Sequence, residues 1–131
     1  MVLIDTSAWV EYLRATGSPT HLEVRRLLDE GAKTATTDVV VAEVLSGGRD
    51  EEQAGELMRM LDRCRFHPTR PLFDYEQAAT IFRTCRRGGF TPRSLTDCLI
   101  AAVAIDRGLE LLHRDRDFDR MAEHVGLPIW R

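Results

Sequence analysis

The sequence predicts an α/β fold: a central parallel β-sheet of about five short strands, flanked by helices on both faces. Three observations predict it. Short apolar segments suited to buried strands alternate with segments of helical period along the whole chain, and such alternation implies crossover connections and parallel pairing. The 131 residues are 44% hydrophobic and 30% charged, which suits one globular domain over residues 1–131. The longest apolar run, Cys98 to Ile105, is eight residues, far below the ~18 of a membrane-spanning helix.

Each element has its own signal. Val2-Leu3-Ile4 reads as a buried strand, and Asp5-Thr6-Ser7 offers N-cap chemistry for a helix to about Leu13. Ser18-Pro19 opens a second helix, with Leu22, Leu27 and Leu28 apolar, closing near Gly31. Thr34 to Thr36 reads as a strand. Thr37 or Asp38 then caps a Val-rich segment ending at Gly47-Gly48. Its β-branched content suits a strand, but the pairs Val40/Val44 and Val41/Leu45 favour a helix. Residues 50–64 form a helix with Leu57, Met58, Leu61 and Cys64 on one side. Arg65 to His67 is a short strand before Pro68. Residues 74–87 form a helix with Ala78, Ala79, Phe82 and Cys85 inward and Gly88 as its stop. Ser94 to Asp106 is helical and nearly all apolar, so it is expected to be buried on most sides, with Gly108 ending it. Leu109 to Leu112 is the next strand, Asp115 to His124 the last helix, and Pro128-Ile129-Trp130 a closing edge strand.

Composition narrows the function. The opening residues lack a cationic lead and meet Asp5, unlike a secretory signal, so the expected compartment is the cytoplasm. Cys64, Cys85 and Cys98 are odd in number and show no C-x-x-C spacing. They are read as small buried hydrophobes and not as disulfides or zinc ligands. The net charge of −3 makes the whole chain no electrostatic magnet for nucleic acid. Its cations are seventeen Arg and the single Lys33.

In parallel sheets ligands bind at the carboxyl ends of strands, and acids gather there. Asp5 ends the first strand, Asp115 and Asp117 follow the strand at 109–112, and Asp97 opens the buried helix. Glu43 stands among Val39, Val40, Val41, Ala42, Val44 and Leu45, where a carboxylate is expensive without a cation. Small residues one turn on from Asp97, Ala101 and Ala104, let its helix approach the strand carrying Asp5. Carboxylates so close need a counter-charge, and hard oxygen ligands suit Mg²⁺ or Mn²⁺. Lys33 lies before its strand, away from the acids, and Asp5-Thr6-Ser7 is no Asp-x-Asp. Aspartyl-phosphate chemistry, which needs a lysine beside the phosphoryl site, is therefore disfavoured. Metal-assisted attack of water on a phosphodiester remains. His21, His67 and His124 do not converge on His113, and no Walker or dinucleotide-binding glycine run is present. Arg83, Arg86, Arg87 and Arg93 precede the helix of Asp97, where they suit either a solvated helix end or a substrate phosphate.

Four segments carry a family resemblance: Leu3-Ile4-Asp5-Thr6-Ser7-Ala8-Trp9; Glu43 with Leu45-Ser46-Gly47; Arg93 through Ala102, with Asp97 at its centre; and His113-Arg114-Asp115-Arg116-Asp117-Phe118. In order and spacing the sequence resembles the PIN-domain ribonucleases, specifically the VapC-type toxins of bacterial toxin–antitoxin pairs. The resemblance implies a Mg²⁺- or Mn²⁺-dependent endoribonuclease acting on RNA. It implies Asp5, Glu43, Asp97 and Asp115 as catalytic and metal-binding acids, with Asp117 a frequent fifth. It also implies a homodimer, silenced by a small cognate antitoxin that covers the acids. His113 stands where many relatives carry Thr or Ser. Thr6, Ser7, Arg86, Arg87 and Arg93 are the candidate substrate contacts. Two other readings stay open: a catalytically silent metal- and protein-binding module, and an RNase H-like nuclease, which would open with an antiparallel meander.

Overall fold

A computed structural model describes residues 1–131. In chain order the elements are β1 (Val2–Ile4), α1 (Thr6–Leu13), α2 (Pro19–Asp29), β2 (Thr34–Thr36), α3 (Asp38–Ser46), α4 (Glu51–Leu61), β3 (Arg65–Phe66), α5 (Phe73–Arg87), α6 (Leu95–Arg107), β4 (Glu110–Leu112) and α7 (Arg116–Ala122). The strands form one sheet of order β3-β2-β1-β4, and every pairing is parallel. That excludes an opening antiparallel meander.

The sheet has four strands and not about five. The expected strand at Pro128–Trp130 reduces to a single parallel bridge, Leu111 to Ile129. Leu111 N–H donates to Pro128 O and Trp130 N–H to Leu111 O, both at 2.9 Å. Pro128 has no N–H to extend the ladder, and the Trp130 indole turns aside to donate to Glu23 Oε1 at 3.0 Å. The Val-rich segment is helical, as its i,i+4 pairs require, with Val40 and Val44 buried.

Local chemistry fixes the helix starts. Ser18 Oγ accepts His21 N–H at 3.1 Å with Pro19 at the first helical position. Asp50 Oδ1 accepts Gln53 N–H at 2.8 Å, and Ser94 Oγ accepts Asp97 N–H at 3.3 Å. The apolar α6 is buried from Cys98 to Ala104 and packs along α5, its small residues permitting close approach. It ends at Gly108 in the left-handed region, φ 64°. One cluster of 30 buried residues, Trp9 and Phe118 among them, forms the core. The three cysteines are buried and unpaired.

All strand carboxyl ends therefore lie on one edge of the sheet. There Ile4 pairs with Leu112 and Asp5 N–H donates to Leu112 O at 2.9 Å, which levels the ends of β1 and β4. Lys33 lies at the opposite edge, where its carbonyl accepts Val2 N–H at 3.2 Å.

Candidate active site

The acids at this edge come from four elements. Asp5 follows β1 and caps α1; it is 3% exposed. Its Oδ2 accepts both Ser7 N–H at 2.9 Å and Ser7 O–H at 2.6 Å. Its Oδ1 is buried and has no partner. Glu43, half-buried on α3, accepts the Thr6 hydroxyl on Oε1 at 2.7 Å. Asp97 sits in the first turn of α6. Asp115 caps α7, its Oδ1 accepting Asp117 N–H at 3.0 Å, and Asp117 is buried.

Their mutual field is visible in their proton affinities. The Asp97 carboxyl is pushed up to about 7, first by burial and then by Asp5, Asp115, Glu43 and Asp117. Burial also raises Asp5, against the Ser7 hydrogen bonds that favour its charge. Glu43 is raised by burial, with Asp5 adding and Thr6 opposing. The five predicted acids thus share one electrostatic site, since each of the other four raises Asp97. This surplus of negative charge is what a bound cation relieves.

The donor set suits a hard cation. Asp5 Oδ1 is a buried carboxylate oxygen without a donor, and burial and neighbouring acids, with no hydrogen bond, shape Asp97. Oxygen donors of this kind are those Mg²⁺ and Mn²⁺ select. No three of these side chains are already gathered around one ligating point. Positive charge at the site comes instead from Arg93. Its Nη2 lies 3.0 Å from Asp115 Oδ1 and its Nε 3.1 Å from Asp117 Oδ2, and its backbone N–H donates to Asp117 Oδ2 at 3.2 Å.

The candidate substrate contacts separate. The hydroxyls of Thr6 and Ser7 donate hydrogen bonds to Glu43 and Asp5. Arg93 joins Arg114, Arg116 and Arg120 in lining a cleft of about 840 Å³ with Asp115, Asp117 and Asp119. Arg86 and Arg87, in the last turn of α5, stand outside that cleft. Arg86 lies over the Phe82 ring at 5.6 Å. Thr6 and Glu43 also border a groove of about 280 Å³ with Trp9, Val10, Leu13 and Leu57.

Two features escaped the sequence reading. Ser7 Oγ also accepts Arg114 N–H at 2.9 Å, tying the start of α1 to the connection between β4 and α7. His113 Nδ1 accepts Asp115 N–H at 3.0 Å. The i,i+2 spacing of His113 and Asp115 was the only available signal.

Comparison with known proteins identifies the family. The model of the PIN domain family matches residues 2–124. The chain is 47% identical over 128 residues to the ribonuclease VapC11 of Mycobacterium tuberculosis, covering 97% of this chain and 96% of that one. Among solved structures it resembles the DNA-bound VapBC of Salmonella typhimurium, with TM-score 0.76, 20% identity, and 98% and 96% of the two chains covered. It likewise resembles a toxin–antitoxin complex from Klebsiella pneumoniae, with TM-score 0.69, 19% identity and 90% of each chain covered.

Proposed function

The chain belongs to the PIN-domain family, among its VapC ribonucleases, and from that premise we propose that it is a metal-dependent endoribonuclease, the toxin of a toxin–antitoxin pair. One observation carries the reading: the buried, unpartnered Asp5 Oδ1 belongs to the same set of acids as an Asp97 carboxyl that burial first, and then four other acids, push up to about 7. Such a site holds a repulsion that protonation relieves in acid and that a bound cation relieves above neutral pH. Membership supports the substrate class, because the 47% identical relative is named a ribonuclease. The Klebsiella relative, solved as a toxin–antitoxin complex, supports a protein antitoxin as partner. A homodimer, a cytoplasmic location and one domain over residues 1–131 complete the proposal; no helix is long and apolar enough to cross a membrane.

Asp5, Asp97 and Asp115 would hold Mg²⁺ or Mn²⁺, with Glu43 and Asp117 completing the acid set. When bound, the cation supplies counter-charge and Lewis acidity at the phosphodiester. The chain's own residues do the rest. Ser7 occupies Asp5 Oδ2 twice over, which fixes the carboxylate and leaves Oδ1 as its ligating atom. Thr6 holds Glu43 Oε1, so that Oε2 remains to orient the attacking water. Its raised proton affinity suits it to take the water's proton at that atom. Arg86 and Arg87 offer bidentate donors to the RNA backbone. Arg93 can leave its carboxylates for a phosphate once the acids have another counter-charge.

The test is cleavage of RNA oligonucleotides by the purified chain with Mg²⁺, with Mn²⁺ and with chelator. Cleavage should require metal, and Asp5→Asn and Asp97→Asn should each lower it by about 10³-fold or more, while RNA binding persists. Chelator-resistant cleavage would overturn the metal reading. Metal and antitoxin binding without any cleavage would establish the silent module instead.

A further inference from the structure

His113 is the first residue after β4, and its ring makes one hydrogen bond, through Nδ1. Nδ1 accepts the backbone N–H of Asp115 at 3.0 Å. Nε2 lies 3.3 Å from Asp119 Oδ1, within ion-pair distance. The side chain is 6% exposed and its ring centroid lies 5.2 Å from that of Phe118. The imidazole is thus held by one hydrogen bond and one ring contact. An acceptor at one residue taking the N–H two residues on is the pattern by which Ser, Thr, Asn and Asp side chains fix a turn. Here a histidine fills that role.

The turn so fixed carries Asp115, whose own Oδ1 accepts Asp117 N–H at 3.0 Å. One residue earlier, Arg114 N–H donates to Ser7 Oγ, which itself donates to Asp5 Oδ2. Two side-chain acceptors, on Ser7 and His113, therefore take successive backbone N–H groups. Between them they set where the Asp115 carboxylate stands relative to Asp5.

We propose that His113 is a positioning residue of the acidic site: by accepting the Asp115 N–H while packed against Phe118, it holds the Asp115 carboxylate in register with Asp5. It touches neither metal nor substrate. Groups that orient ligands in this way typically alter metal affinity by about 10- to 100-fold when lost. The inference rests on the metal-site reading above and adds to it which feature of the chain fixes one of the ligands.

The experiment is calorimetric titration of the purified chain with Mn²⁺ alone, without RNA. Wild type is compared with His113→Phe, which keeps a ring in the pocket but has no acceptor, and His113→Thr, which keeps an acceptor at i,i+2 without the ring. His113→Phe should weaken Mn²⁺ binding by about 10-fold or more, and His113→Thr should stay within about 3-fold of wild type. Wild-type affinity in a folded His113→Phe protein would overturn the proposal. So would a folded His113→Thr protein as weak as His113→Phe, since packing and not the acceptor would then matter. If His113→Phe does not fold, His113→Thr decides alone: affinity within 3-fold of wild type supports the role and a 10-fold loss refutes it. A wild-type chain that binds no Mn²⁺ overturns the metal reading itself, and with it this one. A bound wild type with an indifferent His113→Phe overturns only the role of His113.

Discussion

Two aspartates, the buried Asp74 and the partly buried Asp97, carry proton affinities shifted in opposite directions, and their consequences for stability have opposite signs. Burial alone would raise Asp74, but two hydrogen bonds from Arg107 and one from Arg70 N–H lower it. Its stabilisation is present above its ordinary value of 3.8 and is lost as pH falls through the depressed one. Asp97 is raised from 3.8 to about 7, so its contribution is complete below about pH 4 and disappears as pH rises through 7. In chelator, wild-type thermal stability should therefore decline between about pH 4 and 7. Asp97→Asn should flatten that decline, melting a few degrees above wild type at pH 8 and level with it near pH 4, as scanning calorimetry would record. Equal melting curves at pH 8 would mean that the acids do not repel. Asp5, Glu43, Asp97, Asp115 and Asp117 were all legible as acids at strand ends or in apolar surroundings. Arg93 was legible as a basic residue near them, but its double pairing with Asp115 and Asp117 was not, because it depends on how two loops distant in sequence meet.

At the scale of elements, hydrophobic period and capping chemistry located every helix, since each signal lies within a few residues. Strand length was less legible, because a ladder needs a partner that sequence does not reveal. The stretch Pro128–Trp130 looks like a strand in isolation, and with no N–H on Pro128 to extend the ladder it reduces to one bridge. Also hidden was what locks α5 to α6. Asp74, fully buried at the start of α5, is held by both terminal nitrogens of Arg107 at 2.8 and 2.9 Å, and that guanidinium also donates to Pro68 O at 2.8 Å. No sequence rule joins positions 74 and 107. Removing one partner of a buried pair leaves an uncompensated charge and costs about 3–5 kcal/mol. Arg107→Ala should lose stability of that order by urea denaturation at pH 7, and an effect under 1 kcal/mol would show that the pair is solvated.

For the molecule as a whole, the proposed metal and the fold are thermodynamically linked, because the acids meet only in the native chain. A cation at 100 times its Kd stabilises by about 2.7 kcal/mol, on the order of 10 °C in melting temperature for a domain of this size. Mg²⁺ or Mn²⁺ should produce a rise of that order in wild type and little in Asp5→Asn; the same rise in the mutant would place the ion elsewhere. The α/β class followed from alternation alone, which survives local errors in element length. The strand order β3-β2-β1-β4 did not, since periodicity is silent on which strands are neighbours.

That order has a consequence for synthesis. In the sheet β2 and β3 lie on one side of β1, and β4, which follows α6 in the chain, lies on the other. A ribosome that has translated as far as Gly108 has already made Asp5, Glu43 and Asp97, yet the flank of β1 that receives β4 is still bare and Asp115 does not exist. Nascent chains and prematurely stopped products therefore lack a complete set of acids. The proposed set of metal-holding acids is complete only when β4 and α7 have docked.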